Sequence, residues 1–137
     1  MANFVYKKAK ESLLKGEIDA ALNNFKVLLI DTVSYTANQS IDQYVSDINS
    51  SAIKSRSENL SGITTIDGIL DANDAEILNH DGSAFGAIIL YQIGAADTSS
   101  RLIFYIDSSE NLPYLGNDFS LPITIYWSST NTKILSL

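Results

Sequence analysis

The sequence contains no cysteine, only one histidine and no long apolar run. Without cysteine, the chain can form neither a disulfide scaffold nor a metal site built on thiolates, although its redox compartment stays open. No segment reaches the roughly 18 apolar residues that a membrane-spanning helix needs. Residues 1–8 also lack the apolar core of a signal peptide. We therefore expect no membrane partner and no disulfide-rich class of protein.

Positive charge is scarce as well, because nine lysines and arginines face sixteen aspartates and glutamates, for a net charge of −7. A free-standing nucleic-acid-binding protein normally presents a basic stripe, which this sequence lacks, so we expect no nucleic-acid partner. The same negative charge disfavours binding to anionic membranes. The composition, 45% hydrophobic and 18% charged, is typical of a globular chain, and its length predicts a single domain over residues 1–137.

Two short apolar runs organise the predicted fold. Residues 87–91 and 102–106 are apolar at consecutive positions and rich in Ile, Tyr and Phe, which is typical of strands covered on both faces. The polar connection 94–100 predicts that they form an antiparallel hairpin with a long loop. We expect this hairpin at the centre of the fold. Other predicted strands are residues 25–30, 52–57 (a polar edge strand), 62–72, 75–78, 123–127 and 133–137, and the last two are expected to pair as a hairpin.

Helical patterns occur only near the N-terminus. Residues 4–22 contain the clearest helix, with Gly16 as its stop signal. A second short helix is predicted after Ser40, because its apolar positions follow an i, i+3, i+4, i+7 pattern: Ile41, Tyr44, Val45 and Ile48. The sequence therefore predicts a mainly β fold, an antiparallel β-sandwich or barrel-like domain with one or two short N-terminal helices, in which residues 1–22 form a helical segment.

Residues suited to catalysis are sparse. His80 lies in the turn signal 79–82 and is expected to be a solvated turn residue, since one loop histidine among many Ser and Asp residues does not define a catalytic triad. Glu76, beside Ile77 and Leu78, is the only carboxylate with an apolar neighbourhood of the kind that glycoside hydrolysis requires. No phosphate-binding glycine loop is present. We therefore expect no catalytic residues, no cofactor and no enzyme activity.

An acidic segment, residues 67–81, carries clustered oxygen ligands of the kind that calcium prefers. It does not fit an EF-hand loop, because a loop beginning at Asp71 would place Gly82 where the twelfth-position glutamate belongs. A solvated loop is the favoured interpretation, and an irregular calcium site is left open. The residues concerned are Asp67, Asp71, Asn73, Asp74, Glu76 and Asp81.

Two groups of residues are predicted to contact a protein partner. Lys7, Lys8 and Lys10 belong, with Lys15, to the only cationic cluster of the sequence. Such a cluster is usually a solvated helix face, and docking on an acidic protein neighbour is the functional alternative. Core packing is the default interpretation for most aromatic residues of this chain, but Tyr114 and Phe119 follow Pro113 in a predicted loop and are better candidates for a partner surface.

A series of segments extends over nearly the whole chain: residues 4–19, 25–32, 35–36, 60–62, 68–74, 100–107, 112–113, 123–127 and 133–137. In their order and spacing, these segments together resemble a family of small virion structural proteins of tailed bacteriophages, although no single motif is specific. The chain departs from the family pattern at residues 115–119, where a Gly-rich stretch is usual, and at 128–132, where an Asn-Gly turn is usual.

The resemblance implies a non-enzymatic component of the virion, assembled in the host cytoplasm. We expect, more specifically, a capsid decoration (cement) protein that binds the major capsid protein or other virion proteins as a homo-oligomer, such as a trimer. A tail or neck component is an alternative. A carbohydrate-binding β-sandwich is another, with Tyr114, Phe119, Tyr126 or Trp127 as stacking platforms, and a hydrolase is the least favoured.

Overall fold

The computed structural model describes residues 3–19, 24–109, 112–116, 121–127 and 135–136. Within these residues the chain forms one α-helix, short 3-10 turns and nine strands. In this described part of the chain, no helix is long and apolar enough to cross a lipid bilayer. The elements are β1 (Phe4–Val5), α1 (Lys7–Leu14), β2 (Phe25–Ile30), β3 (Ile53–Arg56), β4 (Ile69–Leu70), β5 (Ala75–His80), β6 (Ala87–Gln92), β7 (Arg101–Ile106), β8 (Leu121–Ile125) and β9 (Leu135–Ser136).

The main sheet is antiparallel and five-stranded, in the order β1-β7-β6-β2-β3. The predicted central hairpin is confirmed, because β6 pairs with β7 on one side and with β2 on the other. Ile89 lies between Leu28 and Tyr105 in this ladder, and all three side chains are buried. Burial of both faces explains why these strands are continuous apolar runs rather than alternating patterns.

Two smaller antiparallel pairs, β5–β8 and β4–β9, complete the described structure. The inner face of β5–β8 is apolar, since Ala75 and Ile77 of β5 lie opposite Ile125 and Ile123 of β8. Ala75, Ile77 and Ile125 belong to the buried core together with the main sheet. The chain is therefore a mainly β, β-sandwich-like domain with one N-terminal helix, as the sequence predicted.

The N-terminal helix is shorter than the predicted segment. Phe4 and Val5, which the sequence assigned to the helical segment, form β1 and pair with β7, and α1 then spans Lys7–Leu14. Ala9 and Ser12 face the interior. The helix ends at the predicted place, because Gly16 has φ of 75°, a left-handed conformation that glycine adopts without the steric cost of a Cβ.

The predicted helix over residues 41–48 is wrong. The structure has turns there, with only Val45–Asp47 as a 3-10 turn. Backbone groups of this segment pair with β7 and its preceding loop instead: the Val45 amide donates to Ser100, and the Leu102 amide donates to Gln43. Asp47 Oδ2 also accepts the Gln43 and Tyr44 amides. These partners replace helical hydrogen bonds, although Val45 and Ile48 are still buried as their spacing predicted.

The pairing predicted for the two C-terminal strands is also wrong. β8 pairs with β5, and β9, which is the described part of residues 133–137, pairs with β4. The apolar residues at alternate positions of β8 lie opposite those of β5. The two strands are far apart in the sequence, so a pairing rule based on neighbouring strands does not predict this contact. β3 is confirmed as an edge strand, and the predicted β segment 62–72 contains β4 and the bridge between Thr64 and Asp71.

A bidentate ion pair joins Arg56 of this edge strand to Asp97, in the loop between β6 and β7. The Nη1 and Nη2 atoms of Arg56 lie 2.9 Å from the Oδ1 and Oδ2 atoms of Asp97, respectively. The Arg56 guanidinium also lies 6.0 Å from the centre of the Tyr91 ring. Hydrogen bonding to Arg56 lowers the pKa of Asp97, although burial opposes it. Folding therefore favours the ionised form of the Asp97 carboxyl.

Replacing Asp97 by asparagine is expected to lower the free energy of unfolding at pH 7 by about 0.5–1 kcal/mol, a small value because the pair is partly exposed. Because folding lowers the pKa of Asp97, its ion pair stabilises the folded chain fully at pH values above the pKa of about 4 that the carboxyl has in the unfolded chain. It is lost as the pH falls through the folded pKa. The free energies of unfolding of the parent protein and the Asp97→Asn variant, measured with urea, should therefore differ at pH 7 and converge near pH 2. A Glu58→Gln variant, which removes an exposed charge next to β3, should match the parent protein at both values.

Candidate functional site

His80 is the first predicted residue that the structure relocates. It is the last residue of β5 and is completely buried, so its prediction as a solvated turn residue is wrong. The physical reason is an irregularity in the β5–β8 register between Ile77 and His80, which turns the histidine side chain inward. Strand alternation alone would not have shown this change of face.

The buried imidazole has hydrogen-bond partners at both nitrogens. Nε2 lies 2.7 Å from the Ser83 carbonyl oxygen, which can only accept, so Nε2 carries the proton. Nδ1 lies 2.6 Å from the Ser55 hydroxyl, which itself donates to the Lys54 carbonyl at 2.7 Å. The Phe85 and Tyr114 rings lie edge-on to it, with centroids at 5.5 and 6.0 Å. Because Ser55 belongs to β3, the histidine links the main sheet to β5.

A serine hydroxyl bonded to an imidazole nitrogen is an arrangement that nucleophilic catalysis uses. Here the imidazole is 0% exposed, so a substrate does not contact it in this conformation. Asp81 Oδ1 lies 4.0 Å from the same Nδ1 and accepts the Ser83 amide instead, and hydrogen bonding from Ser83 lowers the pKa of this carboxyl. Glu76 is exposed on the outer face of β5, opposite Thr124, so the structure does not bring it together with His80.

The acidic segment 67–81 is distributed along the chain by local structure. Asp67 has a left-handed φ of 58° within a 3-10 turn, and Asp71 pairs with Thr64 through its backbone. Asp74 accepts the Trp127 amide at 3.1 Å. Across residues 3–19, 24–109, 112–116, 121–127 and 135–136, no three histidine or acidic side chains come together as a metal site would require.

A buried chain of hydroxyl groups was not anticipated from the sequence. The Tyr6 and Tyr35 hydroxyls lie 3.0 Å apart, and Tyr35 donates to Asp42 Oδ2 at 2.6 Å. Burial raises the pKa of both tyrosines well above the ordinary range, so both stay protonated at neutral pH. These hydrogen bonds join the start of α1 to the loop that follows β2, so the role of the three side chains is structural.

The predicted cationic cluster lies on the outer face of α1. Lys7 and Lys10 are exposed. The other two lysines make ion pairs with the same residue, because Lys8 Nζ lies 3.6 Å and Lys15 Nζ 2.9 Å from Glu11 oxygens. Glu11 thus offsets part of the positive charge, and Lys7 and Lys10 are the lysines of the cluster best placed to meet an acidic surface.

Tyr114, the aromatic residue predicted to contact a partner, lines a cleft of about 400 Å³ that we call the β8 cleft. Residues 122–126 line the cleft together with Phe85 and Leu112. The Phe85 and Tyr114 rings stack with centroids 5.0 Å apart, and their backbones exchange two hydrogen bonds. Phe119, the other predicted aromatic contact, lies outside the described residues.

Tyr126 is the most exposed aromatic side chain among the residues that line the β8 cleft, at 77% exposed. Leu115, next to Tyr114 in the sequence, is 85% exposed but does not line the cleft. Trp127 is instead held by two hydrogen bonds, from its indole Nε1 to Asn73 and from its amide to Asp74. Of the four stacking platforms suggested by the sequence, Tyr114 and Tyr126 therefore share one cleft.

Two exposed features thus stand out among the described residues: the cationic face of α1 and the aromatic β8 cleft. Both can bind another surface by charge or shape complementarity, and neither contains a cluster of reactive groups. Comparison with known proteins finds no protein-family model and no curated protein that matches this chain.

Proposed function

We propose that this protein is a non-enzymatic structural component of a tailed-bacteriophage virion, and specifically a capsid decoration protein that binds the lattice of the major capsid protein. The observation that carries the proposal is the pair of exposed contact features, the face of α1 that carries Lys7 and Lys10 and the β8 cleft with its exposed Tyr126. The sequence resemblance supports the choice of a virion protein. A β-sandwich-like body suits the role, since it holds such contacts in fixed positions.

Attachment would depend on repetition rather than on one strong contact. Modest contacts repeated over a lattice, or shared by the copies of a homo-oligomer such as a trimer, add to a stable attachment because each later contact is intramolecular. A symmetric oligomer would match a symmetry axis of the shell. The energy of attachment would then be spread over many copies of the protein.

The decisive experiment is the copy number in purified virions, measured by quantitative mass spectrometry against the major capsid protein. A decoration protein should be present in proportion to the capsid subunits. A tail or neck component, the nearest alternative, should be present in only a few copies per particle. Absence from purified virions would contradict both.

Charge reversal on α1 provides a test of the docking surface. A Lys7→Glu/Lys10→Glu variant is expected to bind particles that lack the protein about tenfold more weakly, because the added negative charges would face an acidic partner. Pull-down of particles with the purified variant measures this. A Lys7→Arg/Lys10→Arg variant keeps the charges and should bind as the parent does. Equal binding of the Glu and Arg variants would exclude this face from the contact.

Carbohydrate binding is a second candidate function, because Tyr114 and Tyr126 line the same cleft. Aromatic rings in one cleft can stack on the apolar face of a sugar ring. A glycan array separates this function from the first, since a carbohydrate-binding module should retain specific glycans and a decoration protein should retain none. Loss of that binding in a Tyr126→Ala variant would place the sugar in the β8 cleft.

A further inference from the structure

The exposed side of α1 combines positive charge with an apolar side chain. Lys7, Lys10 and Leu14 are spaced by three and four residues, so they lie on one face of the helix. All three are exposed, and Leu14 is 91% exposed. Within the described part of the chain, neither of these lysines makes an ion pair, in contrast to the two that pair with Glu11. We call the surface formed by Lys7, Lys10 and Leu14 the α1 face.

The opposite charge occurs beside an apolar side chain on the outer side of β5. Successive residues of this strand alternate between buried and exposed positions, and Glu76 and Leu78 are exposed. Leu78 is 56% exposed. Asp74, which is also exposed, precedes the strand at the next alternate position. The surrounding sequence, residues 57–100, contains no lysine or arginine that would offset these carboxylates. We call the surface formed by Asp74, Glu76 and Leu78 the β5 face.

The α1 face and the β5 face have matching spacing. A helix rises about 1.5 Å per residue, so its two lysines lie about 6 and about 10.5 Å along the axis from Leu14. A strand rises about 3.4 Å per residue, so its two carboxylates lie about 7 and about 14 Å from Leu78. Packing of Leu14 on Leu78 therefore brings the nearer lysine beside Glu76. The second lysine then lies within the reach of its flexible side chain from the second carboxylate.

The two faces do not meet within one chain. α1 packs against β7, and no ion pair joins the α1 face to the β5 face in the parts of the chain that the structure describes. A second copy of the chain supplies the complementary face of each. The net charge of −7 makes two copies repel each other as a whole. At physiological ionic strength, however, charges more than about 8 Å apart are largely screened, so the groups in contact determine the sign of the interaction.

We propose that the α1 face of one copy binds the β5 face of a second copy, through two lysine–carboxylate pairs and the contact of Leu14 with Leu78. Because the two faces differ, the contact is heterologous, and its repetition closes a ring or extends a filament. Exposed ion pairs are weak, so two free copies associate weakly, and the contact gains strength where further contacts hold the copies together.

The inference rests on the proposed function in one respect, because it identifies the acidic neighbour of the α1 face as another copy of this chain. In a virion, the weaker attachment expected for Lys7→Glu/Lys10→Glu would then follow from lost contacts between copies. The contact itself needs no virion, so it is measured on the purified protein.

The test reverses the charge of one face at a time. Sedimentation equilibrium of the full-length proteins at physiological ionic strength, over roughly 0.01–1 mM, measures the dissociation constant. The parent should associate in this range. Lys7→Glu/Lys10→Glu and Glu76→Lys, each alone, should associate about tenfold or more weakly, because each sets like charges against each other. An equimolar mixture of the two variants should associate more strongly than either alone, because the unchanged α1 face of one meets the unchanged β5 face of the other.

Two matched controls separate the faces from general effects of charge and hydrophobicity. Glu58→Lys changes the net charge as Glu76→Lys does, but at an exposed position outside both faces, and should associate within about twofold of the parent. Leu14→Ser removes the apolar contact and should weaken association about threefold or more. Val33→Ser, at a side chain that is 94% exposed outside both faces, should not weaken it. All these positions are exposed, so each variant should keep the circular dichroism spectrum of the parent.

The inference is overturned by a parent protein that stays monomeric at about 1 mM, by charge-reversed variants that associate as the parent does, or by a mixture that associates no better than its components. Misfolding of a variant does not mimic the expected result, since the mixture recovers association only if both variants are folded. A protein that associates in this way but is absent from virions would keep the inference and lose the proposed function. Many copies in virions, together with a monomeric parent, would do the reverse.

Discussion

Replacing His80 by alanine is expected to lower the free energy of unfolding by about 3 kcal/mol, because the change removes two hydrogen bonds of a fully buried side chain and opens a cavity. The partners in these bonds are the Ser55 hydroxyl and the Ser83 carbonyl, which lie 2.6 and 2.7 Å from the imidazole nitrogens. The cavity forms beside Phe85 and Tyr114. Equilibrium urea unfolding, followed by circular dichroism, measures the difference.

The matched control for this variant is Glu76→Ala, which truncates an exposed side chain of the same strand. Its free energy of unfolding should lie within about 0.5 kcal/mol of the parent value. If the two variants were equally stable, His80 would have the solvated position that its sequence context suggested, and the link between β3 and β5 would be wrong.

Replacing Ile89 by alanine is expected to cost about 3–4 kcal/mol, the upper part of the range for a buried aliphatic side chain. Ile89 is 0% exposed and lies in the middle of the main sheet, opposite Leu28 on one side and Tyr105 on the other. The surrounding ladder holds the backbone in place, so the cavity cannot collapse. Urea unfolding should show a lower midpoint with an unchanged slope.

Leu78→Ala provides the comparison for Ile89→Ala, since it also shortens an aliphatic residue of a strand but one that is 56% exposed. The loss there should be about 0.5 kcal/mol or less. A similar loss at both positions would mean that β6 is not the doubly covered centre of the fold.

The sequence was most informative where side-chain pattern and pairing agree. Residues 87–91 and 102–106 are apolar on both faces, and the structure covers both faces. Residues 52–57 are polar, and the structure places β3 at an edge. In each case the composition of a single strand determines its environment, so no knowledge of distant contacts was needed.

The errors arose where long-range backbone contacts override local pattern. Residues 41–48 have helical spacing, yet their amides and carbonyls bond to Ser100 and Leu102. The partner of β8 is β5, which lies far from it in sequence. His80 turns inward because of a register irregularity, which no periodicity in the sequence encodes.

The candidate site was predictable only in part. Tyr114 and the lysines of α1 were identified from residue type and context. The cleft that Tyr114 shares with Tyr126 was not, because it depends on contacts between segments that are far apart in the sequence.

The pairing of Phe4 with Tyr105 has a consequence for synthesis in the cell. During translation, the first strand emerges long before the strand that it pairs with, so it waits without its partner while about a hundred residues are added. Contacts so distant in sequence make folding slow, because a large loop must close before they form. Until the ribosome has released β7, the nascent sheet keeps an uncovered border, and crowded nascent chains could associate there.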